Sequence, residues 1–295
     1  MQWRQITLVG VGLLGGSLAL AIRRGQLAQS LVGYVRRPES VKDCQRLNAF
    51  DRVELHLERA VAGADLVVLC TPVGQMGPLI EQMSPVLGPD MLITDVGSVK
   101  GTVVAQLEML VHRTGARFMG SHPMAGSEQT GLEAARVGLF KGATCAITPT
   151  PHSTPGDVER LVHFWQQVGG RPLVLAPELH DELVSRCSHL PHVAAAALVN
   201  LVLHQSHPPE QVDLCGPGFR DATRVASGSP EMWRDICQAN RSELIRQLDE
   251  LVSELGRFRQ ALAENRAAEV EAYLREAKLR RDQWIKRSQA DPGTS

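Results

Sequence analysis

The sequence predicts an α/β domain built on a parallel sheet, followed by a domain made only of helices. Up to about residue 176, short β-rich runs alternate with helix-length segments, which is typical of a doubly wound parallel sheet. After about residue 180 the strand signals disappear, and apolar residues recur at helical spacing. We therefore predict an α/β domain at residues 1–176, a helical domain at residues 177–287 and a disordered tail at residues 288–295.

Seven segments of the first domain indicate strands. Several are continuous apolar runs, as expected for parallel strands covered on both faces. The segments are residues 6–12, 31–37, 65–72, 91–98, 117–124, 144–150 and 171–176. Helix-length segments lie between them at residues 13–25, 73–84, 101–112 and 156–168. We predict that the last strand–helix–strand unit, residues 144–176, extends the same parallel sheet.

Two apolar segments characterise the helical domain. Apolar side chains recur along one face of a predicted helix at Leu244, Leu248, Leu251, Leu255, Phe258 and Leu262. Residues 192–203, HVAAAALVNLVL, are apolar on nearly every side, which predicts a helix that is buried all round. Either a second subunit or the chain's own core could cover this helix, so a homodimer through the helical domain is one of two open interpretations.

Composition narrows the range of partners. The chain has 31 Lys and Arg against 32 Asp and Glu, so no overall charge favours nucleic acid or a membrane surface, and we expect a small-molecule ligand. The six cysteines form no CxxC pair and no cluster with histidine, so we expect no metal site and a cytoplasmic location. No segment reaches the ~20 uninterrupted apolar residues of a membrane span.

A glycine-rich turn follows the first predicted strand. In VGVGLLGGS, Gly10, Gly12 and Gly15 form a GxGxxG pattern that includes Leu14 and opens a helix. Glycine lets the backbone approach a pyrophosphate, whose charge the helix N-terminus stabilises. The pattern alone also fits a plain glycine-rich turn, but within the first strand–helix–strand unit it predicts a Rossmann-type dinucleotide-binding domain.

The end of the second predicted strand indicates which dinucleotide binds. NAD-binding folds usually place an acidic residue here, which accepts hydrogen bonds from the ribose hydroxyls. In GYVRRPES this position is Val35, followed by Arg36 and Arg37, whose guanidinium groups suit a 2′-phosphate. The sequence therefore favours NADP, with NAD still possible. Two solvated surface arginines are the alternative, and it applies more to Arg37 than to Arg36.

Three polar residues fall at the ends of predicted strands, where ligands of open α/β sheets bind. Thr71 is a candidate cofactor contact, and Ser98 either contacts the ligand or caps the next helix. His122 lies in GSHPMAGS, whose small residues leave room for a ligand, and a histidine can accept a proton from a substrate hydroxyl. A packed loop histidine is the alternative interpretation of His122.

Three segments interrupt the amphipathic pattern of the helical domain. CSHLPHVA carries His189 and His192, GPGFRDATR carries Arg220, Asp221 and Arg224, and SPEMWRD carries Trp233. An arginine at a ligand site indicates a carboxylate or a phosphate. We take His189, Asp221, Arg224 and Trp233 as substrate-binding candidates, with an ion pair at a helix start as the alternative for Asp221 and the two arginines.

Together these motifs resemble those of the prephenate/arogenate dehydrogenases of tyrosine biosynthesis, over roughly residues 5–285. The motifs, in order, are GVGLLGGS, DVGSVK, GSHPMAGSE, SHLPH, GFRDATR and PEMWRDI. The resemblance implies oxidative decarboxylation of prephenate to 4-hydroxyphenylpyruvate, with hydride transfer to NAD(P). An arogenate or dual-substrate cyclohexadienyl dehydrogenase remains open, and a dinucleotide-binding sensor dimer without turnover is the alternative from another class.

The resemblance also implies roles for single residues. His122 would accept the proton of the substrate hydroxyl, and Ser98 would orient His122 and touch the nicotinamide side. His189 would line the substrate pocket, Arg224 would hold a substrate carboxylate, and Trp233 would cover the pocket from the partner subunit. We expect neither a preceding chorismate mutase segment nor a following ACT domain, and hence no tyrosine feedback through such a domain.

Overall fold

The computed structural model describes residues 3–126, 129 and 131–290, with the backbone alone for residues 288–290. In this part of the chain, strands and helices alternate up to Val174 and only helices follow. The strands are β1 (Trp3–Val9), β2 (Ala28–Tyr34), β3 (Arg52–Glu54), β4 (Leu66–Leu69), β5 (Leu92–Asp95), β6 (Arg117–Phe118), β7 (Gly120–Pro123), β8 (Thr144–Thr148) and β9 (Arg171–Val174). The helices of the α/β part are α1 (Leu13–Gly25), α2 (Pro38–Leu47), α3 (Leu57–Val61), α4 (Val73–Met83), α5 (Gly101–His112) and α6 (Pro155–Gln167). The later helices are α7 (Pro177–Val184), α8 (Leu190–Val202), α9 (Glu210–Asp213), α10 (Pro217–Thr223), α11 (Pro230–Ala239), α12 (Arg241–Ala263) and α13 (Ala267–Ala290).

Six parallel strands form the main sheet in the order β3-β2-β1-β4-β5-β6, which confirms the predicted fold class. Successive residues of β4 enter opposite core layers: Leu66 and Val68 pack on the side of α1 and α6, and Val67 and Leu69 pack on the side of α4 and α5. Burial on both faces explains why the strands are continuous apolar runs. The strand order reverses between β1 and β4, which opens a crevice beyond their carboxyl ends.

The strand predicted at residues 117–124 is divided between two sheets. β6 ends the main sheet, whereas β7 pairs antiparallel with β8, and β8 pairs parallel with β9. The prediction that residues 144–176 extend the main sheet was therefore wrong, although β8, α6 and β9 do form a strand–helix–strand unit. Gly120 allows the close approach of β7 and β8, because a Cβ there would lie 2.5 Å from Thr148 Oγ1.

The apolar faces of the helical part are only partly covered by the chain itself. Leu244, on α12, is 5% exposed, but Leu255 and Leu262 of the same helix are both 57% exposed. Ala195 is the only buried residue of α8, and Leu201 is 68% exposed, so the chain's own core does not enclose α8 as one interpretation required. No described helix, however, is both long and apolar enough to span a membrane.

The last helix is longer than the sequence predicts. α13 continues to Ala290, so residues 288–290, predicted to belong to a disordered tail, are helical. Their backbone amides continue the hydrogen-bond pattern of a long helix, which a composition-based prediction of disorder does not take into account. Residues 291–295 lie outside the described residues.

Candidate active site

The glycine-rich turn lies at the crevice between β1 and β4. Gly10 has a φ of 98°, and a Cβ there would lie 2.9 Å from the carbonyl oxygen of Cys70. A Cβ on Gly15 would lie 2.2 Å from the carbonyl oxygen of Gly10, so glycine is required for α1 to start this close to the turn. A Cβ on Gly12, by contrast, would meet no atom within 4 Å. The first turn of α1 has no acidic residue and no side-chain cap, so its amides suit an anion such as pyrophosphate.

Thr71 adjoins this turn at the end of β4. Its hydroxyl oxygen is buried and has no hydrogen-bond partner among the described residues, and its methyl group would lie 2.8 Å from a Cβ on Gly10. A buried hydroxyl without a partner costs ~1–3 kcal/mol, so a ligand that offers a hydrogen bond fits this position. The turn and Thr71 together therefore fit a dinucleotide. Leu14 is half-buried and packs against the core.

The end of β2 carries two exposed arginines and no acid. Val35 is 5% exposed and packs into the protein, while Arg36 and Arg37 are exposed. Neither guanidinium forms a hydrogen bond or an ion pair with another described residue. Both groups can therefore reach a negatively charged group beyond the strand end.

His122, His180 and Asp181 are hydrogen-bonded in series. His122 lies within β7 rather than after a strand, is 6% exposed, and has its Nδ1 2.9 Å from His180 Nε2. His180 Nδ1 lies 2.8 Å from Asp181 Oδ1. Because a carboxylate only accepts, His180 Nδ1 carries hydrogen; with one hydrogen on each ring, His180 Nε2 then accepts from His122 Nδ1–H. This arrangement leaves His122 Nε2 as an acceptor.

Asp181 also fixes the start of α5. It accepts hydrogen bonds from the backbone amides of Lys100 at 2.7 Å and Gly101 at 2.8 Å. A carboxylate is stabilised at this position by the partial positive charge of a helix N-terminus. Ser98 is therefore not the cap of this helix, because the N-cap residue is Lys100 and a carboxylate from α7 supplies the capping bonds.

A buried ion pair holds the loop after β5 against β7. The side chains of Lys100 and Asp95 are both 0% exposed, and Lys100 Nζ donates to Asp95. Asp95 also accepts from the amide of Ser121 at 3.1 Å, next to His122. Burial lowers the pKa of Lys100, while its interaction with Asp95 acts in the opposite direction. The pair thus connects the segment that carries Ser98 to the strand that carries His122.

Burial lowers the pKa of His122 well below its ordinary value. The neighbouring His180, Lys100 and His189 shift it in the same direction. The His122 ring is therefore neutral at physiological pH, which is the form that accepts a proton.

An open cleft of about 300 Å³ lies beside His122. Ser98 and His122 line it from the α/β part, and His192, Arg224 and Trp233 line it from the helical part. The indole ring of Trp233 stacks on His192 with 3.8 Å between ring centroids. The lining continues to Gly126, and Ser127 and Glu128 of the GSHPMAGSE motif lie outside the described residues.

Two of the predicted substrate-binding residues do not line this cleft. His189 is 0% exposed; its Nδ1 lies 3.2 Å from Asn240 Nδ2, and burial lowers its pKa to about 4. The Asp221 side chain is 79% exposed and lies 3.9 Å from Arg220; this ion pair lies toward the end of α10 and not at a helix start, where the alternative interpretation placed it. His189 ends a π-helical turn, and its buried ring lies beside Asn240 and 6.0 Å from the ring of Trp233.

Two expected arrangements also differ from the structure. Ser98 was expected to orient His122, but the described partner of His122 Nδ1 is His180, which the sequence reasoning missed together with Asp181. Trp233 was expected from a partner subunit, but it lines the cleft of its own chain because α11 packs beside α4. His192 lies in the same CSHLPHVA segment as His189 but was not taken as a substrate-binding candidate.

Fold and site together define a dinucleotide-dependent oxidoreductase, because the α/β part carries both a glycine-rich turn that suits a pyrophosphate and a neutral buried histidine beside an open cleft. Comparison with known proteins identifies the family. Residues 18–174 match the family "Prephenate dehydrogenase, nucleotide-binding domain", and residues 176–276 match "Prephenate dehydrogenase, dimerization domain". The chain belongs to the prephenate dehydrogenase family.

Individual relatives are similar in sequence to this chain over most of their length. The chain is 35% identical to a cyclohexadienyl dehydrogenase of Zymomonas mobilis, over 88% of this chain and 89% of the relative. It is 34% identical to a prephenate dehydrogenase of Bacillus subtilis, over 94% of this chain and 75% of the relative. The structure of Aquifex aeolicus prephenate dehydrogenase in complex with hydroxyphenyl propionate and NAD+ superposes with a TM-score of 0.89 at 33% identity, covering 96% of this chain and 98% of the other.

Proposed function

We propose that the protein oxidises prephenate to 4-hydroxyphenylpyruvate, with loss of the ring carboxylate and hydride transfer to a nicotinamide dinucleotide. The observation that carries the proposal is His122, whose Nε2 remains an acceptor beside a cleft that also contains Arg224. The names of relatives with 34–35% identity support the same reaction. In this proposal the site residues are Ser98 and His122 for the chemistry and Arg224, His192 and Trp233 for the substrate.

Each residue of the cleft has a separate role in this reaction. His122 Nε2 takes the proton of the ring hydroxyl, which makes the oxygen electron-rich and favours departure of hydride from the same carbon. The nicotinamide ring, when bound, supplies the hydride acceptor. Arg224 pairs with a substrate carboxylate, and Ser98 lines the same cleft from the α/β part. Since loss of carbon dioxide makes the ring aromatic, the protein mainly has to position and deprotonate its substrate.

The charges of the cleft favour prephenate over arogenate. The lining residues that the structure describes include no carboxylate, but they do include Arg224, whose guanidinium group is positively charged. Prephenate has two carboxylates and no amino group, whereas the amino group of arogenate finds no acidic partner among these residues. A dual cyclohexadienyl substrate range is the second candidate, and the similarity to the Zymomonas mobilis enzyme favours it.

NADP is the proposed cofactor. The supporting observations are the buried Val35 in place of an acid and the two exposed guanidinium groups of Arg36 and Arg37 directly after it. A 2′-phosphate at the end of β2 would accept charge-assisted hydrogen bonds from these groups. NAD lacks this phosphate, and Val35 offers its ribose hydroxyls no acceptor.

A homodimer through the helical part is the proposed assembly. Leu201 of α8, Leu255 and Leu262 of α12, and Trp284 of α13 are all more than half exposed in the single chain. Burial of apolar surface contributes about 25 cal/mol per Å², so a second copy on these helices would be stabilised. The description of the matched family domain as a dimerization domain supports the same arrangement.

One set of assays tests these proposals. Purified protein is mixed with prephenate or arogenate and with NADP or NAD, and formation of reduced nicotinamide is followed by absorbance, while chromatography identifies the aromatic product. We expect the highest kcat/KM with prephenate and NADP, and equal amounts of reduced cofactor and 4-hydroxyphenylpyruvate. Cofactor binding without turnover of either substrate would instead support the sensor alternative.

A further inference from the structure

We propose that His180 and Asp181 form a proton relay behind His122, so that the positive charge generated by the reaction lies on His180 rather than at the cleft. The inference rests on the proposed function, because it concerns the proton that the substrate hydroxyl gives to His122. Within the part of the chain that the structure describes, neither His180 nor Asp181 lines the cleft. Both therefore act through His122 as positioning residues.

The hydrogen bonds behind His122 have a fixed direction. Asp181 already accepts from the amides of Lys100 and Gly101 at 2.7 and 2.8 Å, which fixes its carboxylate at the start of α5. His180 must then donate from Nδ1 and accept at Nε2, and His122 must donate from Nδ1. These hydrogen bonds therefore set the tautomer of His122. They leave its Nε2 without a hydrogen, so that this atom can accept a proton.

The surroundings of the two rings differ. Burial and the nearby Lys100 both disfavour a positive charge on His122, and Arg224 lines the same cleft. His180, in contrast, lies 2.8 Å from the Asp181 carboxylate. A positive charge on His180 would therefore lie beside a carboxylate, and opposite charges attract strongly where water is excluded.

The proposed step moves two protons and no electrons between the rings. The substrate O–H bond breaks and a bond forms between its proton and His122 Nε2. The Nδ1–H bond of His122 breaks, and this proton bonds to the lone pair of His180 Nε2. His122 is left neutral as its other tautomer, and His180 becomes an imidazolium that is hydrogen-bonded to Asp181. Release of one proton to solvent after product leaves restores the starting state.

Two substitutions separate proton uptake from orientation. The amide oxygen of His180→Gln can still accept the hydrogen bond from His122 Nδ1, but this side chain cannot take up a proton. His180→Phe removes both functions. His112→Gln is the matched control, since His112 lies at the end of α5 and its ring contacts His152 instead of the cleft.

The measurement is single-turnover oxidation of prephenate in mixtures of H₂O and D₂O. For the wild type we expect the rate to decrease non-linearly as the deuterium fraction of the solvent increases, because two protons move together. His180→Gln should show a linear dependence and a rate lowered by roughly 10- to 100-fold, with KM for prephenate and NADP affinity nearly unchanged. His180→Phe should lose more activity than His180→Gln, and His112→Gln should behave as the wild type.

The outcomes distinguish the relay from the proposed function. A wild type that does not oxidise prephenate refutes the proposed function. An active wild type with a linear isotope dependence, or a His180→Gln variant with the wild-type rate, refutes the relay alone. If His180→Gln fails to fold, nitrogen-15 NMR of the wild type still decides: the relay requires hydrogen on Nδ1 of both His122 and His180, and an Nε2–H tautomer of resting His122 would overturn it.

Discussion

Alanine at position 12 should weaken cofactor binding without affecting the fold. A Cβ on Gly12 meets no protein atom within 4 Å, and the φ of −104° is open to any residue, so the added methyl group causes neither a clash nor backbone strain. The loss of a glycine N-cap costs at most about 1 kcal/mol of stability. The methyl group would instead occupy the space in front of α1, where the pyrophosphate is proposed to bind.

The magnitude follows from the distances that such a ligand requires. A phosphate oxygen hydrogen-bonded to an amide lies ~2.9 Å from the nitrogen, whereas carbon atoms prefer separations of ~3.5–4.0 Å. The methyl group of Gly12→Ala therefore displaces the phosphate and weakens its bonds to the amides of α1. Loss of one hydrogen bond to a charged group costs ~1.5–3 kcal/mol, which corresponds to roughly a 10- to 150-fold rise in Kd for NADP.

Cofactor Kd from tryptophan fluorescence quenching and Tm from thermal unfolding measure the two effects separately. Gly88→Ala is the matched control, because a Cβ there also meets no atom within 4 Å and the residue precedes β5 at the opposite edge of the sheet. In Gly15→Ala the Cβ would overlap the carbonyl oxygen of Gly10, so we expect a lower Tm as well as weaker binding. An unchanged Kd for Gly12→Ala would show that the pyrophosphate does not bind at α1.

Four further predictions concern three side chains. His122→Asn should lower kcat by about 10²- to 10⁴-fold at unchanged NADP affinity, and a near-normal kcat would exclude His122 as the base. Because burial lowers the pKa of His122, and only its neutral form accepts a proton, the wild-type kcat/KM should begin to fall only when the pH is well below 6.5. Arg224→Ala should raise KM for prephenate by about 10- to 100-fold, whereas a higher KM for NADP would assign Arg224 to the cofactor. Arg36→Ala should lower kcat/KM with NADP by about tenfold and leave kcat/KM with NAD unchanged. Arg24→Ala is the control, because Arg24 is also exposed. An equal loss with both cofactors would contradict a 2′-phosphate contact.

Local sequence patterns determined the parallel sheet and the cofactor turn. The apolar runs of β1, β4 and β5 identify strands because each is buried on both faces, and the GxGxxG pattern follows β1 because the turn requires glycine at Gly10 and Gly15. β3 was not predicted, since only Val53 of its three residues is apolar. A local pattern does not determine which neighbour a strand pairs with. The segment that forms β7 was predicted in the main sheet, but it pairs with β8 in the second sheet.

The sequence by itself also indicated His122, Ser98, Arg224 and Trp233, which the tertiary structure brings to one cleft. What surrounds His122 was decided only in three dimensions. His180 lies 58 residues away along the chain, and its neighbour Asp181 caps a helix that starts 80 residues earlier. The packing of α7 against α5 creates these contacts, and a contact between distant segments leaves no period or spacing in the sequence from which it could be read.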